Sequence, residues 1–324
     1  MITHRERLET CLLGELPDRP PIALWRHFPV DDQSPENLAE AHLSYQRTYD
    51  FDLVKVTPAS SFCLKDWGAD DVWEGNAEGT RRYSKNVITS PRDWEHLPAL
   101  DPSAPHLASQ LTCLRQIRKG LGRETPLLQT IFNPLAQAKH LAAEDILLVH
   151  LRKYPEAVMK GLEIITKTTK RFIEATIETG IDGIFYAVQH AQATLVTLDE
   201  FVRFSQTSDL ALLGAATDLW CNMLHLHGKN IYFDILSKYP VKILNWHDRE
   251  TAPSLSEAQK VFKGVVCGGL SRDSLVFKKP VDVQNEAKDA FEQTKYKRLI
   301  LSTGCVVPII APHGNIQAAR RSAQ

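Results

Sequence analysis

The sequence contains no long hydrophobic run. None of its segments approaches the roughly 18 consecutive apolar residues that a membrane-spanning helix needs. The opening stretch, MITHRERLET, has no apolar core of the kind found in secretory signal peptides. We therefore expect a cytoplasmic protein that does not enter a membrane.

The sequence also has no excess of charge of one sign and no cysteines at paired spacing. The formal net charge is -1 at pH 7, with 38 Lys and Arg against 39 Asp and Glu. This balance gives no electrostatic reason to expect nucleic acid or an anionic membrane as a partner. The six cysteines are scattered without paired spacing, which predicts free thiols rather than a disulfide framework.

What the sequence does contain is a series of eight short apolar runs separated by helical patterns. Several runs are apolar almost throughout, which is typical of parallel strands buried on both faces. Strands that alternate with helices predict an α/β protein, here a single (β/α)₈ TIM barrel over residues 1–324. The runs are Pro21–Trp25, Leu53–Thr57, Leu127–Phe132, Gly183–Ala187, Met223–His227, Val241–Trp246, Val265–Gly269 and Arg298–Ser302.

Helix signals fall before and between these runs. Residues 4–13 predict an N-terminal helix, and Ser34-Pro35 predicts the start of a helix that runs to Tyr49. Residues 156–179 form a long amphipathic pattern. Capping boxes at Thr197 and Ser254 predict two further helix starts.

Two points leave the barrel interpretation open. Residues 64–92 fit neither pattern and predict a loop excursion after the second strand. A doubly wound open sheet is the alternative architecture. Its phosphate-binding glycine fingerprint is missing, because Gly264, Gly268 and Gly269 do not have the required spacing.

A histidine pair stands on the fifth predicted strand, in Leu224-His225-Leu226-His227-Gly228. Residues i and i+2 of a strand point to the same face, so both imidazoles project one way. Cys305 follows the eighth predicted strand, and two imidazoles with one thiolate are a familiar ligand set for catalytic zinc. The alternative is a histidine pair satisfied by core hydrogen bonds, with Cys305 as a small buried residue.

Further polar residues lie at the ends of the predicted strands. Active sites of barrels lie at the carboxyl ends of their strands, so these side chains are expected to surround one mouth. Lys55 alternates with Leu53 and Thr57, which predicts that its ammonium points into the barrel. Asn245, Trp246 and His247 are candidates for substrate contacts. The alternative is that they only end a strand and begin a turn. The other candidates are Arg26, Asn133, Gln189 and His190.

The chain resembles the uroporphyrinogen decarboxylase superfamily, which contains decarboxylases and cobalamin-dependent methyltransferases on one barrel. The resemblance spans nearly the whole chain. It rests on Arg5-Glu6-Arg7, Pro17-Asp18-Arg19-Pro20-Pro21, Tyr49-Asp50-Phe51-Asp52, Asn245-Trp246, Gly304-Cys305-Val306-Val307-Pro308, Pro312 and Asn315-Ile316.

The residues that serve decarboxylation in this superfamily are largely replaced. Arg26 matches the first of two arginines in the first-strand motif, but Val30 stands at the second position. Thr57 follows the second predicted strand, at a position where the decarboxylases have an aspartate. Cys305 stands where they have a histidine near the C-terminus. Burying a substrate with several carboxylates beside too few cations would be costly. These replacements argue against porphyrinogen decarboxylation, which is the alternative activity and not the leading one.

The methyltransferase branch matches more closely at the site. It carries His-x-Cys-Gly and Gly-Cys as zinc ligands, and this chain has His225-x-His227-Gly228 and Gly304-Cys305. The resemblance implies zinc held by His225, His227 and Cys305, with one Cys-to-His replacement that zinc accepts. That replacement removes one negative charge, so the acceptor is expected to differ from those of known members.

The implied activity is zinc-dependent transfer of a methyl group to a small acceptor. The donor would be a methyl-corrinoid carried by a partner protein. Asn245, His247 and Gln189 would orient the acceptor, and Arg26 would hold its acidic group. His247 is also a candidate fourth metal ligand or general acid. A third possibility is a non-catalytic corrinoid- or tetrapyrrole-binding protein.

Overall fold

A parallel sheet of seven strands forms the centre of the protein in a computed structural model that describes residues 2–323. Its order is β1-β4-β5-β6-β7-β8-β9, and a separate antiparallel pair is formed by β2 and β3. In chain order the strands are β1 (Val54–Val56), β2 (Asp70–Val72), β3 (Arg82–Lys85), β4 (Leu127–Phe132), β5 (Gly183–Val188), β6 (Met223–Leu226), β7 (Ile243–Trp246), β8 (Val265–Leu270) and β9 (Leu299–Thr303).

Helices precede and connect the strands, as in a TIM-barrel-like α/β fold. Within residues 2–323 no helix is both long and apolar enough to cross a membrane. The helices are α1 (His4–Leu13), α2 (Pro35–Tyr49), α3 (Pro105–Leu121), α4 (Pro134–Ala142), α5 (Glu144–Lys153), α6 (Pro155–Ile177), α7 (Leu198–Phe201), α8 (Thr207–Ala215), α9 (Phe233–Leu236), α10 (Leu255–Val261), α11 (Arg272–Phe277), α12 (Pro280–Thr294) and α13 (His313–Ser322).

Most predicted elements are confirmed. Seven of the eight predicted strands are present, with ends within two residues of those expected. Helix α1 has the predicted bounds, and Ser34 caps α2 by accepting from the Asn37 N–H. Both predicted capping boxes form, at Thr197 and at Ser254. The excursion at 64–92 is more ordered than predicted, because it contains the β2–β3 hairpin.

The first predicted strand, Pro21–Trp25, is not a strand of the sheet. Ile22 makes one isolated parallel bridge to Leu301 of β9, and its carbonyl accepts from the Asp52 N–H at 2.8 Å. Proline has no N–H to donate, and the Ile22 N–H donates to the Asp52 carboxylate instead, at 2.8 Å. Neither Pro21 nor Ile22 therefore has a main-chain N–H that can donate to the carbonyl of a neighbouring strand, and no regular β-ladder forms.

Two buried apolar layers lie on the two faces of the sheet. The larger includes Ile131 and Leu224, and the smaller includes Leu128, Met223 and other alternate strand residues. Since side chains alternate along a strand, the face that buries Met223 also carries the residues two and four positions later. The smaller layer therefore forms the floor beneath the polar side chains at the carboxyl ends of the strands.

Candidate metal centre and adjoining cavity

Four potential metal ligands converge at the carboxyl ends of β6, β7 and β9. They are His225, His227, His247 and Cys305, and one ligand atom from each lies within 4.8 Å of those of the others. The Cys305 Sγ atom is 3.9 Å from His227 Nδ1. The structure thus brings together the three residues predicted as ligands and His247, the candidate fourth ligand.

Local backbone geometry explains this convergence. His225 and His227 continue the face of β6 on which Met223 is buried in the inner layer. A Cβ atom added at Gly304 would lie 2.5 Å from His247 Cα and 2.6 Å from the Trp246 carbonyl oxygen. Glycine at 304 therefore lets the chain after β9 pass directly against the end of β7, which carries Cys305 to the histidines.

Asn245 fixes the orientation of His225. Its amide nitrogen donates to the carbonyls of Cys267 and Thr303, at 2.9 and 3.0 Å. The amide oxygen therefore faces His225 Nδ1, at 2.6 Å, and accepts its proton. This leaves His225 Nε2 as the ligand nitrogen. Asn245 is fully buried behind the imidazole, where it supports His225, and its contact with the acceptor stays a prediction that this burial does not favour.

His247 is held in a comparable way by a carboxylate. Its Nδ1 atom lies 3.3 Å from Glu250 Oε1. Its Nε2 atom is buried and has no hydrogen-bond partner in the described part of the chain. Buried polar atoms are nearly always paired, so an orphaned imidazole nitrogen beside a thiol and two more imidazoles suits an ion at this place.

The electrostatics of the cluster favour the metal-binding protonation states of Cys305 and His225, but not that of His247. Burial opposes ionisation of Cys305, but His225, His227 and His247 outweigh it and hold the pKa of the thiol well below its usual value. Burial lowers the pKa of His225, against the pull of the neighbouring sulfur. The pKa of His247 is raised, since the Cys305 sulfur outweighs the effect of burial. A thiolate and neutral imidazoles are the ligand forms of these residues.

A cavity of about 240 Å³ adjoins the cluster. Its walls include the aromatic side chains of Trp25, Tyr83, Phe132 and Phe185. Gln189, one of the predicted substrate-binding residues, also lines it. Further lining residues that the sequence reasoning did not select are His27, Arg81, Lys139 and His140.

Lys55 points into this cavity, as strand alternation predicted. Only 5% of the residue is exposed, and its Nζ atom donates to Thr57 Oγ1 at 3.3 Å. The ammonium also lies 4.6 Å from the centroid of the Phe185 ring. Burial lowers the pKa of Lys55 to about 7, and no carboxylate within residues 2–323 pairs with it. A buried cation without an anion is suited to an acidic ligand.

The other two cations at the cavity are already paired. Arg81 forms an ion pair with Asp32 at 3.0 Å and lies 3.6 Å from Asp71. Lys139 pairs with Glu144 at 3.3 Å. Of the Lys and Arg residues that line the cavity within residues 2–323, Lys55 is therefore the one without a carboxylate partner, and it is the one available to an acidic ligand.

Arg26 does not occupy the catalytic position expected of it. Its guanidinium packs over the rings of Phe28 and Tyr45, at 5.2 and 5.7 Å from their centroids. Trp25 and His27, on either side of Arg26 in the chain, line the cavity, and Arg26 does not. That Arg26 holds an acidic group of the acceptor stays a prediction, which this position does not favour.

Asn133 and Trp246 are structural residues rather than cavity residues. Asn133 caps α4 by accepting from the Ala136 N–H at 3.1 Å, and its amide donates to Ser205 Oγ at 2.9 Å. Trp246 is fully buried on the outer face of β7, where its Nε1 donates to the Pro253 carbonyl. Neither residue lines the cavity, and the predicted contact of each with a substrate stays a prediction.

His190 also lies outside the cavity. It is fully buried, and its Nε2 atom is 3.7 Å from the Glu144 carboxylate. The residue before it, Gln189, faces the cavity instead. Of this pair of predicted substrate residues, only Gln189 is in place to meet a ligand.

These features define a TIM-barrel-like α/β protein with a His/Cys cluster at one end of its sheet. Residues 3–324 match the uroporphyrinogen decarboxylase (URO-D) family, and the chain belongs to this family. It is 23% identical over 337 residues to the methylcobamide:CoM methyltransferase MtaA of Methanosarcina barkeri, a match that covers 98% of this chain and 96% of that protein.

Two solved structures share the fold. A methyltransferase from Methanosarcina mazei superposes with a TM-score of 0.87 at 18% identity, over 100% of this chain and 98% of the other. A B12-independent methionine synthase from Shewanella sp. W3-18-1, solved with selenomethionine, gives a TM-score of 0.59 at 15% identity, over 96% and 95%. At these identities the likeness establishes the architecture.

Proposed function

We propose that the chain is a zinc-dependent methyltransferase-like enzyme that moves a methyl group from a methyl-corrinoid to a small acceptor. The corrinoid would be carried by a partner protein. The observation that carries the proposal is the cluster of His225, His227, His247 and Cys305 beside the cavity. Membership of the URO-D family and similarity to MtaA support the class of reaction.

The donor set fits zinc. Imidazole and thiolate are the ligands that zinc prefers, whereas magnesium and calcium prefer oxygen. With bonds of about 2.0 Å to nitrogen and about 2.3 Å to sulfur, neighbouring ligands of a tetrahedral zinc lie roughly 3.3–3.7 Å apart. The ligand atoms here lie within 4.8 Å of one another, so small side-chain rotations are enough to close them around one ion.

Each residue of the site has a definite part in this proposal. When bound, zinc would lower the pKa of the acceptor's nucleophilic atom and so favour attack on methyl-cobalt near neutral pH. Asn245 holds His225 with Nε2 towards the ion, and Glu250 does the same for His247. Lys55 would bind an acidic group on the acceptor. The aromatic walls of the cavity keep water away from the reacting atoms.

Porphyrinogen decarboxylation, the alternative from the sequence, is not supported by the geometry. Val30, at the position of the second arginine, is 71% exposed at the surface. Arg26, at the first, is turned away from the cavity and packs on aromatic rings. Lys55 is then the main free cation for a substrate with several carboxylates.

A single domain over residues 1–324 and a cytoplasmic location stay predictions.

Elemental analysis of purified protein tests the metal. Wild type should carry about one zinc per chain, and Cys305→Ala should lose most of it, because the thiolate is the ligand with a negative charge. Cys113→Ala is the control, since Cys113 is a buried free thiol in α3, away from the cluster. Its zinc content should equal that of wild type.

Methyl transfer is then assayed with methylcobalamin and a panel of small thiol acceptors. The expected result is acceptor-dependent loss of the methyl-cobalt absorption, abolished by a chelator and restored by zinc. A protein that transfers methyl groups equally well after its metal has been removed would overturn the proposal.

A further inference from the structure

An unbroken series of charged side chains connects the metal cluster to a loop over the cavity. His247 Nδ1 lies 3.3 Å from Glu250 Oε1, and the same oxygen is 3.0 Å from Arg272 Nη2. Arg272 Nη1 is in turn 2.6 Å from Glu78 Oε1. Glu78 belongs to the segment between β2 and β3, far from the other three residues in sequence.

That segment, residues 74–81, is called the covering loop here. Glu78 and Gly79 line the cavity together with Arg81. Gly79 has a φ of 81°, and a Cβ there would lie 2.5 Å from His27 Cβ, so the loop packs tightly on the cavity wall. The Ala77 carbonyl accepts from the Ile309 N–H at 2.8 Å. The loop is therefore fixed over the cavity at several points, of which Glu78 carries the charge.

Arg272 is well suited to hold two carboxylates in a fixed relation. Its guanidinium is planar, and the two terminal nitrogens address Glu78 and Glu250 separately. Its side chain is only 16% exposed, so these ion pairs are partly shielded from solvent. Glu250 Oε1 faces both His247 Nδ1 and the Arg272 guanidinium, so it is placed to accept from each.

We propose that Glu250 and Arg272 are positioning residues that hold His247 with Nε2 towards the metal and link its position to the covering loop through Glu78. The inference rests on the proposed metal site. Energetic linkage between two sites is reciprocal, so bound metal stabilises the closed loop and the closed loop strengthens metal binding. A substitution at either end of the series therefore changes the behaviour of the other end.

Zinc affinity, measured by competition with a chromophoric chelator, is the first readout. Glu250→Ala should bind zinc about 10- to 100-fold more weakly, the usual effect of removing the partner of a ligating histidine. Glu250→Gln keeps an acceptor oxygen without the charge and should fall between this variant and wild type. Glu78→Ala, remote from the ligands, should weaken zinc binding about two- to fivefold, as expected for a partly exposed ion pair.

The matched control lies on the same hairpin. Glu74 forms an exposed ion pair with Arg82 at 2.6 Å and takes no part in the series to His247. Glu74→Ala should leave zinc affinity unchanged. An equal loss in Glu74→Ala and Glu78→Ala would mean that the hairpin matters only for folding, and it would overturn the linkage.

Hydrogen–deuterium exchange of residues 74–81, with and without zinc, is the second readout. In wild type and in Glu74→Ala, zinc should slow exchange in the covering loop. In Glu78→Ala and Glu250→Ala, this protection should be lost, while the circular dichroism of the metal-free proteins stays that of wild type. Zinc binding by Glu250→Ala with wild-type affinity, or full protection of the loop in Glu78→Ala, would overturn the inference.

The two proposals fail in different ways. Wild-type protein that binds no zinc would remove the proposed function and this inference together. Wild-type protein that binds zinc, with variants that behave like it, would remove the linkage alone.

Discussion

Asn245 Oδ1 and His225 Nδ1 lie 2.6 Å apart, on residues that are direct partners in the register of β6 and β7. Both N–H groups of the Asn245 amide are engaged by carbonyl oxygens, so the amide cannot reverse without losing two hydrogen bonds. The side chain therefore fixes both the tautomer and the direction of a candidate ligand from a position that no substrate reaches.

Replacement of this asparagine should weaken metal binding without touching a ligand. Asn245→Leu removes the acceptor of the His225 N–H, and we expect zinc affinity to fall by about 10- to 100-fold. Asn245→Asp keeps an acceptor oxygen but cannot donate to the two carbonyls, so it should be intermediate. Chelator competition measures both variants. A folded Asn245→Leu protein with wild-type zinc affinity would show that Asn245 does not position His225 for metal binding.

The two ligand types should respond differently to removal. Cys305→Ala should abolish stoichiometric zinc binding, because it removes the charged ligand. His247→Ala should weaken binding less, because it leaves the His225, His227 and Cys305 set with an open position. Cobalt substitution separates the two cases: the near-ultraviolet sulfur-to-cobalt absorption should persist in His247→Ala and vanish in Cys305→Ala. If the sulfur-to-cobalt absorption persisted in Cys305→Ala, the metal would be bound by a cysteine other than Cys305.

Lys55 should make stability depend on pH. Burial lowers its pKa from 10.5 to about 7, so between these values the unfolded chain binds more protons than the folded chain. The resulting destabilisation is fully present below about pH 7 and decreases as pH rises towards 10.5. Lys55→Met should therefore be more stable than wild type by roughly 2–4 kcal/mol at pH 6 and by about half as much at pH 9.

Urea unfolding of Lys55→Met and wild type at the two pH values measures this difference. Comparing the two proteins cancels the titration of all other groups. An equal difference in unfolding free energy at pH 6 and pH 9 would mean that Lys55 is charged in the folded protein throughout this range.

Arg26 should matter little for catalysis. Arg26→Met keeps an unbranched apolar side chain beside Phe28 and Tyr45 and removes the guanidinium that packs over their rings, outside the cavity. We expect KM for an acidic acceptor to stay within about twofold of wild type, and stability to change by about 1 kcal/mol or less. Lys55→Met is the comparison, and it should raise the same KM. A selective rise in KM for acidic acceptors in Arg26→Met would restore the role that the sequence suggested.

Local signals predicted most of the fold. Apolar runs and capping residues act over a few positions, which is why α1 and seven strands agree with expectation. Two elements depended on distant contacts. The run Pro21–Trp25 lost its ladder because the Asp52 carboxylate takes the Ile22 N–H. The β2–β3 hairpin forms from mostly polar residues whose sequence shows no alternation of apolar and polar positions.

The candidate site was predictable where strand periodicity applies and not beyond it. His225, His227 and Lys55 lie within or directly after strands, so their direction followed from alternation. Arg26 lies in the segment that is not a regular strand, and its direction could not be read in the same way. Asn133 precedes Pro134, and asparagine followed by proline is itself a signal of a helix start that favoured a cap over a substrate contact.

The contact of Gly304 with the main chain of His247 has a consequence for how this site can vary. The separation between the ends of β7 and β9 is set by backbone atoms in contact, not by the side chains that face the ion. Ligand identity can therefore change while the dimensions of the site persist. Under the proposed function, histidine at 227, where the resemblance to the methyltransferase branch implies a thiolate, would alter the charge presented to a bound cation and leave its position intact. The reactivity of such a centre could then diverge while its dimensions are kept.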